Sequence, residues 1–169
     1  MMRWCMGLVA VLALAGCTRS PLNSIPLTGA YDPDNAFARM IRGEIVPVKV
    51  YETDHVLAFM DHAPASAGHV LVISKVSHAR TLLEMNAQDY DEVMSAVRKV
   101  ALAEVEALDL KGFTIIENNG LGQSVPHLHV HIIPRYGRIR IQEKKTPISS
   151  DSALEPIAAK IRAVLAKTP

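Results

Sequence analysis

Three histidines, His127, His129 and His131, alternate with Leu128 and Val130 and run into Ile132-Ile133-Pro134-Arg135. Strict alternation is the pattern of a half-buried strand, which places all three imidazoles on one face. Successive same-face side chains then lie roughly 6.5–7 Å apart along the strand. A neutral central imidazole can attack a substrate atom, while a flanking one hydrogen-bonds to that substrate or donates a proton. His-x-His on a strand can instead supply two zinc ligands of a hydrolytic site, with a third from elsewhere, His69 being one choice. The least specific reading is a set of satisfied core histidines.

Immediately upstream stands Asn118-Asn119-Gly120-Leu121-Gly122-Gln123-Ser124-Val125-Pro126. Two glycines, three side-chain amides and a hydroxyl can turn backbone N–H groups towards an anion. Asn-Gly is also a common short hairpin signal, so the loop alone is ambiguous. Joined to the histidines, its amides and Ser124 fit a phosphate. The stretch from Gly122 to Arg135, GQSVPHLHVHIIPR, resembles the signature of the histidine triad (HIT) nucleotide hydrolases and transferases. Phe37-Ala38-Arg39-Met40-Ile41-Arg42-Gly43-Glu44-Ile45 resembles the opening helix and turn of the same family.

The resemblance covers about residues 35–136. It implies an α+β fold with a five-stranded antiparallel sheet, one long helix and short flanking helices, usually a homodimer, with a purine nucleotide in a groove on the sheet. It carries a ribose-binding role to Asp61, a place near the triad and phosphates to His69, and phosphate or sugar contacts to Asn118, Gly122, Gln123 and Ser124. Phe37 and Ile41 would form the apolar wall against the base, although plain core is an equal reading of that pair. His62 stands where many members have Ile beside the sugar and base. Asn35 and Ala38 stand where others carry zinc-binding cysteines, so no structural zinc and no cofactor is expected.

By the same resemblance, His129 attacks the α-phosphorus of a nucleoside 5′-phosphoramidate to give a covalent nucleotidyl-histidine. His131 assists the leaving group and His127 completes the catalytic set. The transferases carry Gln in place of His131, and an amide cannot donate a proton as an imidazolium can, which favours a hydrolase. Dinucleoside polyphosphate hydrolysis is the nearest alternative. A non-catalytic nucleotide-binding or metal-binding lipoprotein are the others.

The elements that position these residues are legible in the pattern. Asp32 or Asp34 is expected to cap a short helix carrying Ala36, Phe37, Met40 and Ile41, closing at Gly43. Strands are expected over 48–52, 56–60, 68–75, 113–118 and 129–134. His55 falls in the turn between the first two, and His78 is given no role. Asn86 would cap a long helix to about Leu108, with Tyr90, Val93, Val97, Val100, Ala101, Val105 and Leu108 covering the sheet. Ser152-Ala153-Leu154-Glu155 resembles a capping box before an amphipathic helix through Ile157, Ile161 and Leu165, whose apolar face needs a docking surface, a second subunit being one.

The first residues belong to a different kind of segment. Arg3, the apolar run Gly7 to Leu14, and Leu14-Ala15-Gly16-Cys17 resemble a bacterial lipoprotein signal, cleaved before a lipidated Cys17. Lipid chains on Cys17 would hold the protein to a membrane on the periplasmic side of the cell envelope. Thr18 rather than Asp after the cysteine favours the outer membrane, by resemblance to enterobacterial sorting. The apolar run is short against the roughly 20 residues of a spanning helix. The expected organisation is a signal at 1–16, a tether at 17–33 rich in Pro, Ser and Thr, a domain at 34–140 and an extension at 141–169. Cys5 would leave with the signal, so the mature chain would have no free thiol. Lys and Arg number 18 against 17 Asp and Glu, with no long run of either sign, so a nucleic-acid partner is not expected. Arg135, Arg138, Arg140, Lys144 and Lys145 read as a solvated segment.

Overall fold

β-branched and aliphatic runs bounded by turns produce five strands in the computed structural model, which describes residues 25–137 and 149–167. They are β1 (Lys49–Glu52), β2 (Val56–Met60), β3 (Val70–Ser74), β4 (Gly112–Glu117) and β5 (His129–Arg135). All pair antiparallel in the order β1-β2-β3-β5-β4. This is the expected α+β architecture. The signal at 1–16, Cys17, and Arg138, Arg140, Lys144 and Lys145 lie outside the described residues.

Register decides which side chains share a face. His129 pairs with Ile73 and His131 with Leu71, and β2 places Leu57 and Phe59 opposite the same two β3 residues. These form one face, over which helix α1 (Ala36–Ile41) lays Phe37. Val56, Ala58, Met60, Val70, Val72, Val130 and Ile132 form the other, covered by α2 (Ala87–Leu108) and α3 (Asp151–Leu165). Alternation along β5 therefore divides one strand between a core on one side and histidines on the other.

The caps refine the sequence reading. Asn35, rather than Asp32 or Asp34, caps α1: its Oδ1 accepts from the amides of Phe37 and Ala38, each at 3.0 Å. Asp32 is spent on the preceding turn, where its side chain accepts from the Asp34 amide. Asn86 caps α2 as expected, accepting from the Asp89 amide at 2.9 Å, and Asp109 ends the helix in the left-handed region at φ 48°. Val105 is exposed, and the buried stripe of Val93, Val97 and Val100 continues instead to Glu104. The capping box at Ser152 does not form. α3 starts after Ser150, leaving Ser152 inside the helix and Glu155 paired with Arg162.

Two segments dock where none was specified. The apolar face of α3, with Leu154, Ala158 and Ile161, packs into the α2 side of the same chain's core. The tether read over 17–33 is seated on the domain along its described part. The Ile25 amide donates to Gly120 O at 3.4 Å, Thr81 Oγ1 to Leu27 O at 2.6 Å, and the Gly29 amide to Glu84 at 2.8 Å.

Candidate active site

β5 begins at His129, so His127 belongs to the approach rather than the strand. Its amide donates to Val125 O at 2.8 Å, and the next amide, of Leu128, donates to Ala79 O at 2.9 Å. The imidazole is buried between two fixed partners: Nε2 is 3.0 Å from Ser74 O and Nδ1 is 2.7 Å from the Tyr31 hydroxyl. A carbonyl only accepts, so Nε2 carries the proton and Nδ1 accepts from Tyr31. Burial holds the pKa of His127 down to about 4, keeping the ring neutral.

The main-chain oxygen of His127 lies 2.7 Å from His129 Nδ1. By the same logic Nδ1 of His129 is the protonated nitrogen and Nε2 keeps its lone pair. Phe37 meets this ring edge-on, with centroids 5.1 Å apart at 82°. Burial lowers the His129 pKa, so the ring is a neutral base.

His131 receives its orientation from His69, the residue just before β3. Its Nδ1 is 2.9 Å from Nε2 of His69, whose Nδ1 faces the Ala65 amide at 3.1 Å and an Asp61 carboxylate oxygen at 3.3 Å. Neutral His69 accepting from Ala65 carries its proton on Nε2, and protonated His69 carries one there too. In both states His69 donates to His131 Nδ1, which leaves the His131 proton on Nε2. That Nε2 is buried with no hydrogen-bond partner among the described residues. Burial, followed by the neighbouring His129 and His69, pulls the His131 pKa down to about 3.

These groups open onto a cleft of about 390 Å³. Phe37, Asp61, His62, His69, Asn118, Gly122, Ser124, His129 and His131 line it. Gly120 and Gly122 adopt φ of 77° and 84°, the turn conformation that the loop needs to pass the cleft.

Three residues are placed differently. His127 stands behind the cleft wall and acts on it through its carbonyl. Gln123 is buried, its amide donating to Arg80 O and its oxygen accepting from the Gly120 amide at 3.0 Å, so it braces the loop from inside. Ile41 packs behind the wall, and Met40, three residues from Phe37, is the one that reaches the cleft. Helical spacing fits either residue, and pattern alone does not separate them.

Tyr31 and Asp151 carry no sequence signal that marks them as part of the site. Tyr31 sits in a stretch without periodicity, as an aromatic among polar residues. Asp151 Oδ1 is 2.6 Å from His62 Nε2, tying the start of α3 to the cleft rim. A metal held by His127 and His129 fits poorly, because both nitrogens of His127 are engaged. Asp61, His69 and His131 bring ligand atoms within 4.8 Å of one another, but the facing nitrogens of His69 and His131 are spent on each other.

A family model described as HIT domain matches residues 42–138. The chain belongs to the HIT family. Among curated relatives, Protein hit of Bacillus subtilis is 42% identical over 104 residues, spanning 60% of this chain and 71% of that protein. Adenosine 5′-monophosphoramidase hnt1 of Schizosaccharomyces pombe is 38% identical over 101 residues, spanning 59% of this chain and 72% of that protein. Among solved structures, a Hit-like protein of Bartonella henselae, described as involved in cell-cycle regulation and as holding an unknown ligand, is 43% identical with a TM-score of 0.75. That match covers 80% of this chain and 99% of the other. The α+β sheet with its histidine face is thus the HIT fold, and relatives of this HIT protein include named nucleotide hydrolases.

Proposed function

We propose that this HIT protein hydrolyses purine nucleoside 5′-phosphoramidates through a covalent nucleotidyl-His129 intermediate. The observation that carries the reading is the pair of opposite tautomers on the cleft wall: a bare Nε2 on His129 beside an Nε2–H on His131. One offers an electron pair to phosphorus and the other a proton to the departing group. His129 Nε2 forms the P–N bond as the bond to the leaving nitrogen breaks. That nitrogen departs as an amine, taking the Nε2 proton of His131 while His69, entering the step protonated, passes its own Nε2 proton to His131 Nδ1. Water then attacks phosphorus as the P–N bond to His129 breaks, giving its proton to His131 Nε2 as His131 Nδ1 returns one to His69, so the nucleoside monophosphate leaves and all three rings are restored. Backbone N–H groups around Gly122 and the Ser124 hydroxyl balance the charge on the phosphate oxygens, while Asp61 faces the ribose and Phe37 the base.

The test is chelator-treated protein given adenosine 5′-phosphoramidate, with diadenosine polyphosphates in parallel and quenched samples read by mass spectrometry. AMP release and a transient adduct on His129, both absent in His129→Ala, are expected. No adduct and no AMP from folded wild type sinks the assignment.

Self-association completes the proposal. β4 is the last strand of the sheet, and Phe113 and Ile115 on it are 43% and 42% exposed on the face that α2 covers. Leu102 and Val105 of α2 are exposed as well. An edge strand with apolar side chains favours pairing with a second copy. Sedimentation of wild type as a dimer and of Ile115→Lys as a monomer is the expected result. Lipidation at Cys17, supported by Leu14-Ala15-Gly16-Cys17, predicts that Cys17→Ser moves the protein from the membrane to the soluble fraction.

A further inference from the structure

Tyr31 lies 96 residues before His127 in sequence, yet its hydroxyl is 2.7 Å from His127 Nδ1. The phenol ring is held from two sides. It stacks on His78 with centroids 4.6 Å apart and planes at 9°, and it meets the His127 ring edge-on at 5.7 Å and 63°. Burial raises the Tyr31 pKa, so the hydroxyl keeps its proton and remains a donor.

The strap that carries Tyr31 is anchored upstream at Leu27 O and the Gly29 amide. Its anchor, Glu84, also binds the buried Arg80 guanidinium at 3.1 Å, and Arg80 O accepts the Gln123 amide of the phosphate loop. The strap and the loop therefore rest on one support, the 79–84 segment. From that support Tyr31 reaches the back of the residue whose carbonyl orients the nucleophile.

Without the hydroxyl, His127 Nδ1 becomes a buried acceptor with nothing to accept from. A buried unpaired acceptor is costly, and the ring can escape it by turning or by drawing in water. Either movement disturbs residue 127, and His129 depends on the oxygen of that residue for both its tautomer and its direction. We propose, building on the hydrolase reading above, that Tyr31 is a positioning residue of the reaction, acting through His127 to hold the His129 imidazole in line with the phosphorus.

The experiment is Tyr31→Phe in the full chain, which keeps the ring on His78 and removes the hydroxyl alone. Single-turnover nucleotidylation of His129 by adenosine 5′-phosphoramidate is expected to slow about tenfold with KM changed less than about twofold, since Tyr31 does not line the cleft. A merely structural role would instead lower thermal stability and leave the rate per folded molecule intact. Ring-¹⁵N spectra provide a readout independent of turnover: wild type should show one Nδ1–H environment for His129, and the variant a broadened or doubled one.

An unchanged adduct rate and an unchanged His129 signal overturn the proposal. If wild type forms no adduct, the hydrolase reading fails by itself and the His129 spectrum alone decides whether Tyr31 positions the ring. If Tyr31→Phe does not fold, ortho-fluorotyrosine at position 31 takes its place. The stronger donor should shift the His127 Nδ1 resonance, and no shift overturns the contact.

Discussion

The carbonyl oxygen of His127 and Nδ1 of His129 are 2.7 Å apart, so the orientation of one histidine rests on the backbone of another. The two residues should then fail differently when truncated. His129→Ala removes the proposed nucleophile and should abolish the adduct. His127→Ala keeps the oxygen but strands Ser74 O and the Tyr31 hydroxyl, and should lower kcat by roughly 10–100-fold while the adduct still forms, because a buried carbonyl and a half-buried hydroxyl are left unmatched. Single-turnover mass spectrometry separates the two outcomes.

Activity should persist on the acid side of the ordinary histidine range. Burial lowers the pKa of His129 beneath the ordinary 6.5, and His131 is down to about 3, so the His131 ring stays neutral well below 6.5 and His129 charges later than a free imidazole. A kcat/KM profile is expected to be flat through pH 6.5, with its acid limb lower. A limb centred at 6.5 would mean that His129 is solvated in the working enzyme.

Stability has the matching sign. For His127 the folded pKa of about 4 is depressed below the unfolded 6.5, so the favourable neutral ring contributes fully above 6.5 and is lost as pH falls towards 4. Urea unfolding of Tyr31→Phe, in which the pocket of His127 opens to water, should show a weaker fall across that window than wild type.

Glu104 acts in the opposite direction. Both carboxylate oxygens are buried without a hydrogen-bond partner among the described residues, and burial pushes the pKa up to about 9. Its contribution is complete below the unfolded value of 4.5 and is lost as pH rises towards 9, since the unfolded chain releases a proton that the fold retains. Glu104→Leu should flatten the pH dependence of unfolding free energy by up to about 1.4 kcal/mol per pH unit between pH 5 and 8. Equal slopes for the two proteins would show that water reaches the carboxyl.

At the other end of the cleft, Asp151→Ala should raise KM for purine substrates about three- to tenfold with kcat nearly unchanged. It releases His62 from its 2.6 Å partner without touching the reacting groups. Steady-state kinetics with adenosine and guanosine phosphoramidates, run side by side, reads the effect together with any change in base preference.

The legible parts of this molecule are those where one period or one short motif carries the information. Alternation at His129-Val130-His131 placed the site on a strand face, and the 3.6-residue stripe through Val93, Val97 and Val100 placed α2 on the opposite face. Asn86 announced its helix because a cap acts within three residues. What escaped depends on partners remote in sequence. Gln123 reads as a phosphate ligand until Arg80 O is found beneath it, and Ile41 and Met40 differ only in how α1 is rolled against the sheet. The Tyr31 strap is held by single bonds that span 54 positions, from Thr81 Oγ1 to Leu27 O, and 96 positions, between Tyr31 and His127, which leave no periodic trace.

With the proposed lipidation, the docked strap would also set the length of a leash. With Cys17 as the lipid attachment, eight residue-to-residue steps (25 minus 17) lead to Ile25, where the chain is already bonded to Gly120 of the loop before β5. Eight steps reach at most about 26–29 Å, so the loop at Gly120 would lie within that distance of the bilayer surface. Substrates concentrated at that surface, amphiphilic or carried by neighbouring anchored proteins, would meet the cleft at a far higher effective concentration than freely diffusing ones.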